Sequence, residues 1–436
     1  MTARRALFVV ACVLATGLIG CSETSGTGGS AGDGGSAGVG GQGGAEGQTD
    51  PGTGEWELVP RDRVAEQCGL DPDLLDAANE ALLETWTGNY AGWAVVRHGK
   101  LCYESYRDNG DSIQELNAVT KTLVAVLTGA VAYQTKDLER AGRKTGPLAD
   151  EDRIDHWLDS FDFNPEAKVG HVLAMVATND DLSFGSRDFI YDVFGGDQID
   201  RLADIAALAI AQDPENLGAN LEEFVQRFLF GPLGMRGSSW NGGAADKTIG
   251  IGWKGTARDM ARLGLLILHG GVWNGERLLG EEWIRKLTHP AFEDASTNYG
   301  YLTWLSSNSN HVGGFSTDRH DGPIEPCTPP AIWPEYPHGL SESPDCNYNP
   351  PWTCDQEYDV GAWSASGYNG NHIVGHPGLD MVLVVKTAGF EVDVGFTSVW
   401  PAMRPALIAL DPTFQGDEDA FCEAYGSGAY APGLRP

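Results

Sequence analysis

Positive charge is scarce in this chain. Lys and Arg together number 29 against 61 Asp and Glu, a net charge of −32. A surface of that sign does not neutralise phosphates, so nucleic acid is not expected as a partner. Long apolar runs are missing as well: nothing after residue 20 is apolar for long enough to span a bilayer. No two cysteines stand in C-x-x-C spacing, which removes the common cysteine zinc sites. Internal repeats are absent too. What remains is 436 residues, enough for a large core.

The apolar run that does exist lies at the start. Arg4 and Arg5 precede an apolar stretch from Ala6 to Ile19, the pattern of an export signal over residues 1–20. It closes on Leu18-Ile19-Gly20-Cys21, which resembles a bacterial lipobox. That resemblance implies cleavage before Cys21 and a lipid on Cys21. The competing reading is an ordinary secretory signal with a chance cysteine. Ser22 then favours the outer membrane, so an exported chain touching the membrane through its lipid anchor only is expected. Residues 21–55 are Gly, Ser, Ala and Thr with scattered acids, a flexible tether. Six further cysteines, Cys68, Cys102, Cys327, Cys346, Cys354 and Cys422, make an even count that suggests disulfides outside the cytoplasm.

A folded domain is expected over residues 56–436. Asp71-Pro72 reads as a helix start, with Asp as cap and Pro first, and Leu74, Leu75, Ala78, Leu82 and Trp86 recur at helical spacing. Trp93 to Arg97 and Leu101 to Tyr106 flank His98-Gly99-Lys100, a β-hairpin. From Val119 to Ala132 apolar residues cover nearly every side of a helix, which demands burial all round. Lys121 breaks that pattern, and a lone ammonium there is costly unless paired or used. Residues from about 118 to 240 read as mainly helical. Val172 to Met175, Ile205 to Ile210 and Leu221 to Phe230 are its buried segments, the last stopping at Gly231-Pro232. A helix opens at Thr256, Tyr299 to Trp304 returns to sheet, Met381 to Val385 is a buried strand, and a last helix runs near Ala402 to Leu410. Residues 306–360 are rich in Pro, Asn, Ser and Asp and hold three cysteines, which suggests a disulfide-stapled insertion. Its Trp333, Tyr336, Tyr348, Trp352 and Tyr358 form a small core of their own or face a cleft.

Several passages, in order, carry a family resemblance. Ala118-Val119-Thr120-Lys121 has the frame of the S-x-x-K helix, with alanine where the serine stands. Phe230-Gly231-Pro232-Leu233-Gly234-Met235, Trp273-Asn274-Gly275 before Glu282-Trp283, and Ser366-Gly367-Tyr368-Asn369-Gly370 follow. Together these resemble the serine β-lactamases, penicillin-binding proteins and related hydrolases, above all the branch with esterases and the nylon-oligomer hydrolase. The resemblance spans about residues 56–412. It implies an α+β fold of the β-lactamase/transpeptidase kind: an antiparallel sheet flanked by helices, a mainly helical subdomain, and a cleft between them. It also favours pairing Cys68 with Cys102, since both precede the S-x-x-K-type helix.

Acyl transfer by serine needs a nucleophile, a base, a proton relay and an oxyanion hole. By resemblance, Ala118 holds the nucleophile's place and Lys121 the base's, the competing role of Lys121 being a structural ion pair. Tyr191, in Asp188-Phe189-Ile190-Tyr191-Asp192-Val193, stands where the relay tyrosine does, or is simply a buried tyrosine at a helix start. Val193 occupies a place usually held by Asn or Ser. Ser366 and Gly367 lie in the third motif, whose strand supplies one oxyanion amide while the nucleophile's own amide supplies the other. The passage His171 to Asn179 carries Val176-Ala177-Thr178 where the family has Thr-Ser-Gly. Polar atoms are therefore lost at three motif positions. Lys386-Thr387-Ala388-Gly389 imitates the third motif but lies a strand too late. His372, His376 and Asp380 have the spacing of a zinc site on a helix, yet Gly375, Pro377 and Gly378 break any helix, and surface or turn histidines are expected. No metal or cofactor is expected. Three readings stand: a decayed hydrolase that holds a small-molecule or peptide-like ligand in its cleft; an active hydrolase whose serine was substituted; and a surface adhesion module.

Overall fold

The computed structural model describes residues 50–85, 90–107, 110–177, 182, 196–240, 249–292, 299–305, 362–388 and 394–410. The leader, Cys21, Tyr191, Val193, the 306–360 insertion and Cys422 lie outside the described residues.

Helix α1 (Pro72–Thr85) begins as its sequence dictates. The Asp71 carboxylate accepts from the amides of Asp73 (2.9 Å) and Leu74 (3.2 Å), and Pro72 has no amide to satisfy. Strands β1 (Tyr90–Arg97) and β2 (Lys100–Tyr106) form the hairpin, turning at His98 and Gly99, both at positive φ. Cys68 and Cys102 are disulfide-bonded, as the resemblance implied. A short β3 (Gln114–Glu115) leads into helix α2 (Val119–Thr135), in which every residue from Val119 to Val131 is buried. The regular described elements between β3 and the next strand are helical, including α3 (Gly196–Ile210). Then come β4 (Ser239–Trp240), β5 (Trp253–Gly255), α4 (Ala257–Leu268), the hairpin of β6 (Val272–Trp273) and β7 (Glu276–Arg277), and β8 (Trp304–Leu305). Strands β9 (Trp363–Gly367), β10 (Asn371–His376) and β11 (Met381–Ala388) precede the last helix, α5 (Val394–Leu410).

The main sheet has the order β2-β1-β11-β10-β9-β8, antiparallel throughout. Both faces are covered, so β11 reads from Met381 to Val385 as a continuous apolar run rather than an alternating one. Ala94, Val96, Ile373, Val382 and Val384 face one core, which contains α2 and α4. Trp93, Val95, Val374, Leu383 and Val385 face a second core, which contains α1 and α5. A smaller sheet, β3-β5-β4, stands beside the start of α2.

Three expectations shift. The last helix starts at Val394, not near Ala402, and Pro401 and Pro405 lie inside it. Burial of Val399, Met403, Ala406 and Leu407 outweighs the breaker residues. The Leu221 segment does not stop at Gly231-Pro232: a π-helical turn at Gln226–Phe230 carries it through Gly231–Leu233, and Gly234 at φ 69° closes it. The Val172 segment is a short helix, Val169–Leu173, ended by Met175 at φ 60°. Among the described residues, packing also includes the stretch from Asp50, ahead of Trp56. The Arg262 guanidinium donates to the carbonyls of Gly52 (3.0 Å) and Gly54 (2.7 Å), and the Asn274 amide donates to the Asp50 carboxylate (2.6 Å).

Candidate functional site

Ala118 is the N-cap of α2 and is 7% exposed. An alanine there offers no side-chain acceptor, so the first amides turn to backbone. Thr120 N donates to Asn117 O (3.0 Å) and Lys121 N to Ala118 O (3.0 Å). Lys121 lies three positions after Ala118, which places both on one side of the helix. The Lys121 side chain is only 1% exposed. Asn117, just before the cap, has φ 52°. Asn tolerates this left-handed backbone better than most residues, and the Thr120 hydroxyl also donates to its carbonyl (2.6 Å).

The third motif comes to the same place. A Cβ on Gly367 would lie 2.6 Å from Leu116 O and 2.9 Å from Val119 N, so the backbone of β9 rests directly on the start of α2. Structure therefore brings Ala118 and Gly367 together. Side chains alternate along β9, and Trp363 and Ala365 share the α2 face with Gly367. Ser366 points to the other face, where its Oγ lies 3.1 Å from Nδ1 of His372, its partner across the β9–β10 register. His372 is wholly buried, and burial pushes its pKa down to about 3, so the ring is neutral near pH 7. The chain then turns through Tyr368, Asn369 and Gly370, with Asn369 at φ 69° and Gly370 at φ 76°. The Tyr368 carbonyl accepts from two carboxamides, Asn117 Nδ2 and Asn371 Nδ2, each at 2.9 Å. Asn371 Oδ1 takes the Thr387 amide (3.3 Å), and the Thr387 hydroxyl donates to Asn369 O.

The sequence reading gave Asn117, Asn371 and Thr387 no role at this site, and named Thr387 only within the Lys386-Thr387-Ala388-Gly389 imitation. The Asn-Gly turn was a signal for the last two. For Asn117 the only signal was an Asn directly before the nucleophile position.

A polar chain supports the helix start from the far side. Trp253 N donates to Thr120 Oγ1 (3.2 Å), Trp253 Nε1 to Ser238 Oγ (2.9 Å), and Ser238 Oγ to the Asp259 carboxylate (3.0 Å). Burial raises the pKa of Asp259.

Other candidates fall elsewhere. Lys386 is fully buried and donates to Asp111 (3.0 Å) and to Ser112 O. Asp111 in turn accepts from the Ala257 and Arg258 amides at the start of α4, so Lys386 is a strut. His372 and His376 are not surface or turn residues: both are buried on β10, because the strand continues to His376 before Pro377 interrupts it. Asp380 faces the His98 ring (2.9 Å) instead. Ala177 is buried, and its carbonyl accepts from the Asn164 amide (2.8 Å).

Solved structures resemble this arrangement at low identity. A Bacteroides dorei protein assigned to the β-lactamases is 16% identical, over 78% of this chain and 99% of its own, with a TM-score of 0.50. The fold is that of the β-lactamases and penicillin-binding proteins. A penicillin-binding protein homologue from Caulobacter crescentus (12% identity, 77% of this chain and 97% of its own, TM-score 0.46) is also similar. So is EstCE1, a hydrolase with promiscuous acyltransferase activity (12% identity, 80% and 99%, TM-score 0.47). No family model matches the chain.

Proposed function

We propose that this β-lactamase-like chain is an envelope lipoprotein that holds a ligand in the former acylation cleft without acylating. The observation that carries the reading is the methyl group of Ala118 at the cap of α2, where the resemblance places a nucleophile. A methyl carbon cannot attack a carbonyl. Losing a nucleophile removes most of the rate and leaves only what binding and an oxyanion site provide. The contact of Gly367 with Val119 and the burial of Lys121 support a cleft frame that outlasted the nucleophile.

The test is turnover of p-nitrophenyl butyrate and a chromogenic cephalosporin by the purified full-length chain and by Ala118→Ser. Negligible turnover by the unmodified chain and clear ester turnover by Ala118→Ser are expected. Turnover by the unmodified chain would sink the proposal. The anchor is checked separately: radiolabelled palmitate should be incorporated into the unmodified chain and not into Cys21→Ser, and equal labelling of both would refute lipidation at Cys21.

A further inference from the structure

We infer that the end of β9 admits a compact acyl group and turns away an acylamino or peptide chain, with Asn117 setting this selectivity. The inference rests on the cleft reading above and narrows its ligand class.

Extended peptides dock on sheets by giving their N–H groups to carbonyls along a strand. Beside Ala118 that strand is cut short. The β9–β10 pairing ends at Gly367 and Asn371, and the three residues between them are the turn. The first carbonyl past Gly367 is that of Tyr368, and a carbonyl oxygen has two lone pairs. Both are used, by Asn117 Nδ2 and Asn371 Nδ2 at 2.9 Å each. A ligand N–H reaching this oxygen has to displace a carboxamide and leave it unpaired, which is the costly kind of hydrogen-bond loss. The Asn371 carboxamide is tied down further by the Thr387 amide, and the Asn117 carboxamide is carried on a backbone held left-handed by the Thr120 contacts to its carbonyl. The ligand that fits this strand end is therefore a small ester or carboxylate with no N–H next to its acyl carbon.

Butyrate and N-acetylglycine are the probes, titrated by ligand-observed NMR into the full-length chain and its Asn117→Gly and Asn117→Asp forms. Glycine keeps the left-handed backbone and aspartate keeps the side-chain shape, but neither can donate to Tyr368 O. Butyrate is expected to bind the unmodified chain at least about tenfold more tightly than N-acetylglycine, and both variants should close the gap by gaining N-acetylglycine. Equal or tighter binding of N-acetylglycine overturns the inference. So does a gap that persists in variants that melt cooperatively, or the absence of binding by either probe. Ala118→Ser is assayed in parallel on p-nitrophenyl butyrate and p-nitrophenyl N-acetylglycinate. Selective butyrate binding with no turnover of either ester leaves the inference standing and removes the acylation-cleft reading. Turnover without preference for the simple ester does the reverse.

Discussion

Position 118 carries a methyl group, yet the contacts that shape its surroundings do not use that methyl. They run from Gly367 to Val119, from Asn117 to Tyr368, and from Trp253 to Thr120. Gly367 is the most exacting of these residues. The atoms its Cβ would meet at 2.6 and 2.9 Å belong to backbone, which cannot rotate aside. Gly367→Ala should therefore cost roughly 1–3 kcal/mol by overpacking, read from urea denaturation. An unchanged urea midpoint would mean that β9 and α2 do not touch there. Gly367 was legible in the sequence because a glycine between Ser and Tyr fits one recurring frame. Asn117 was not: its partner at Tyr368 is 251 residues away, and nothing local marks a carboxamide for so distant a carbonyl.

Elements were legible where one physical demand dominated. The α2 segment is apolar on every side and could only be central, and every residue from Val119 to Val131 is buried. The β1–β2 hairpin follows from a glycine turn between two apolar runs. Where two demands conflicted, the sequence reading chose the local one. It ended a helix at Gly231-Pro232 and started another after Pro401, whereas packing carries both helices through. Lys386 makes the same point for charge. Its Lys-Thr segment looks like a motif, but burial and Asp111 commit its ammonium to joining β11 to the start of α4. Burial alone pulls its pKa below the usual lysine value, while Asp111 pulls the other way.

For the molecule as a whole, acid should be a stronger denaturant than its surface suggests. His372 and His376 lie fully buried in the central sheet, each with a pKa pushed down to about 3 against 6.5 when unfolded. Between those values the unfolded chain binds protons that the folded chain refuses. Their contribution is therefore complete above the unfolded value and is lost as pH falls toward the folded one. Near pH 5 each should cost roughly 2 kcal/mol. The melting temperature is expected to drop from pH 7 to pH 5, and His372→Gln with His376→Gln should flatten that slope. A flat profile for the unmodified chain would show that both rings are hydrated. The overall architecture was readable because ordered passages span the domain. Tyr191 and the 306–360 insertion, singled out in the sequence, lie outside the described residues.

The frame around position 118 has a consequence in evolutionary terms. Backbone contacts and the Asn117 carboxamide hold it, so the frame does not depend on which small side chain stands at the cap of α2. Alanine and serine codons differ by a single base. A lineage carrying this chain can therefore exchange the methyl for a hydroxyl at position 118 in one mutational step, without rebuilding the frame around it.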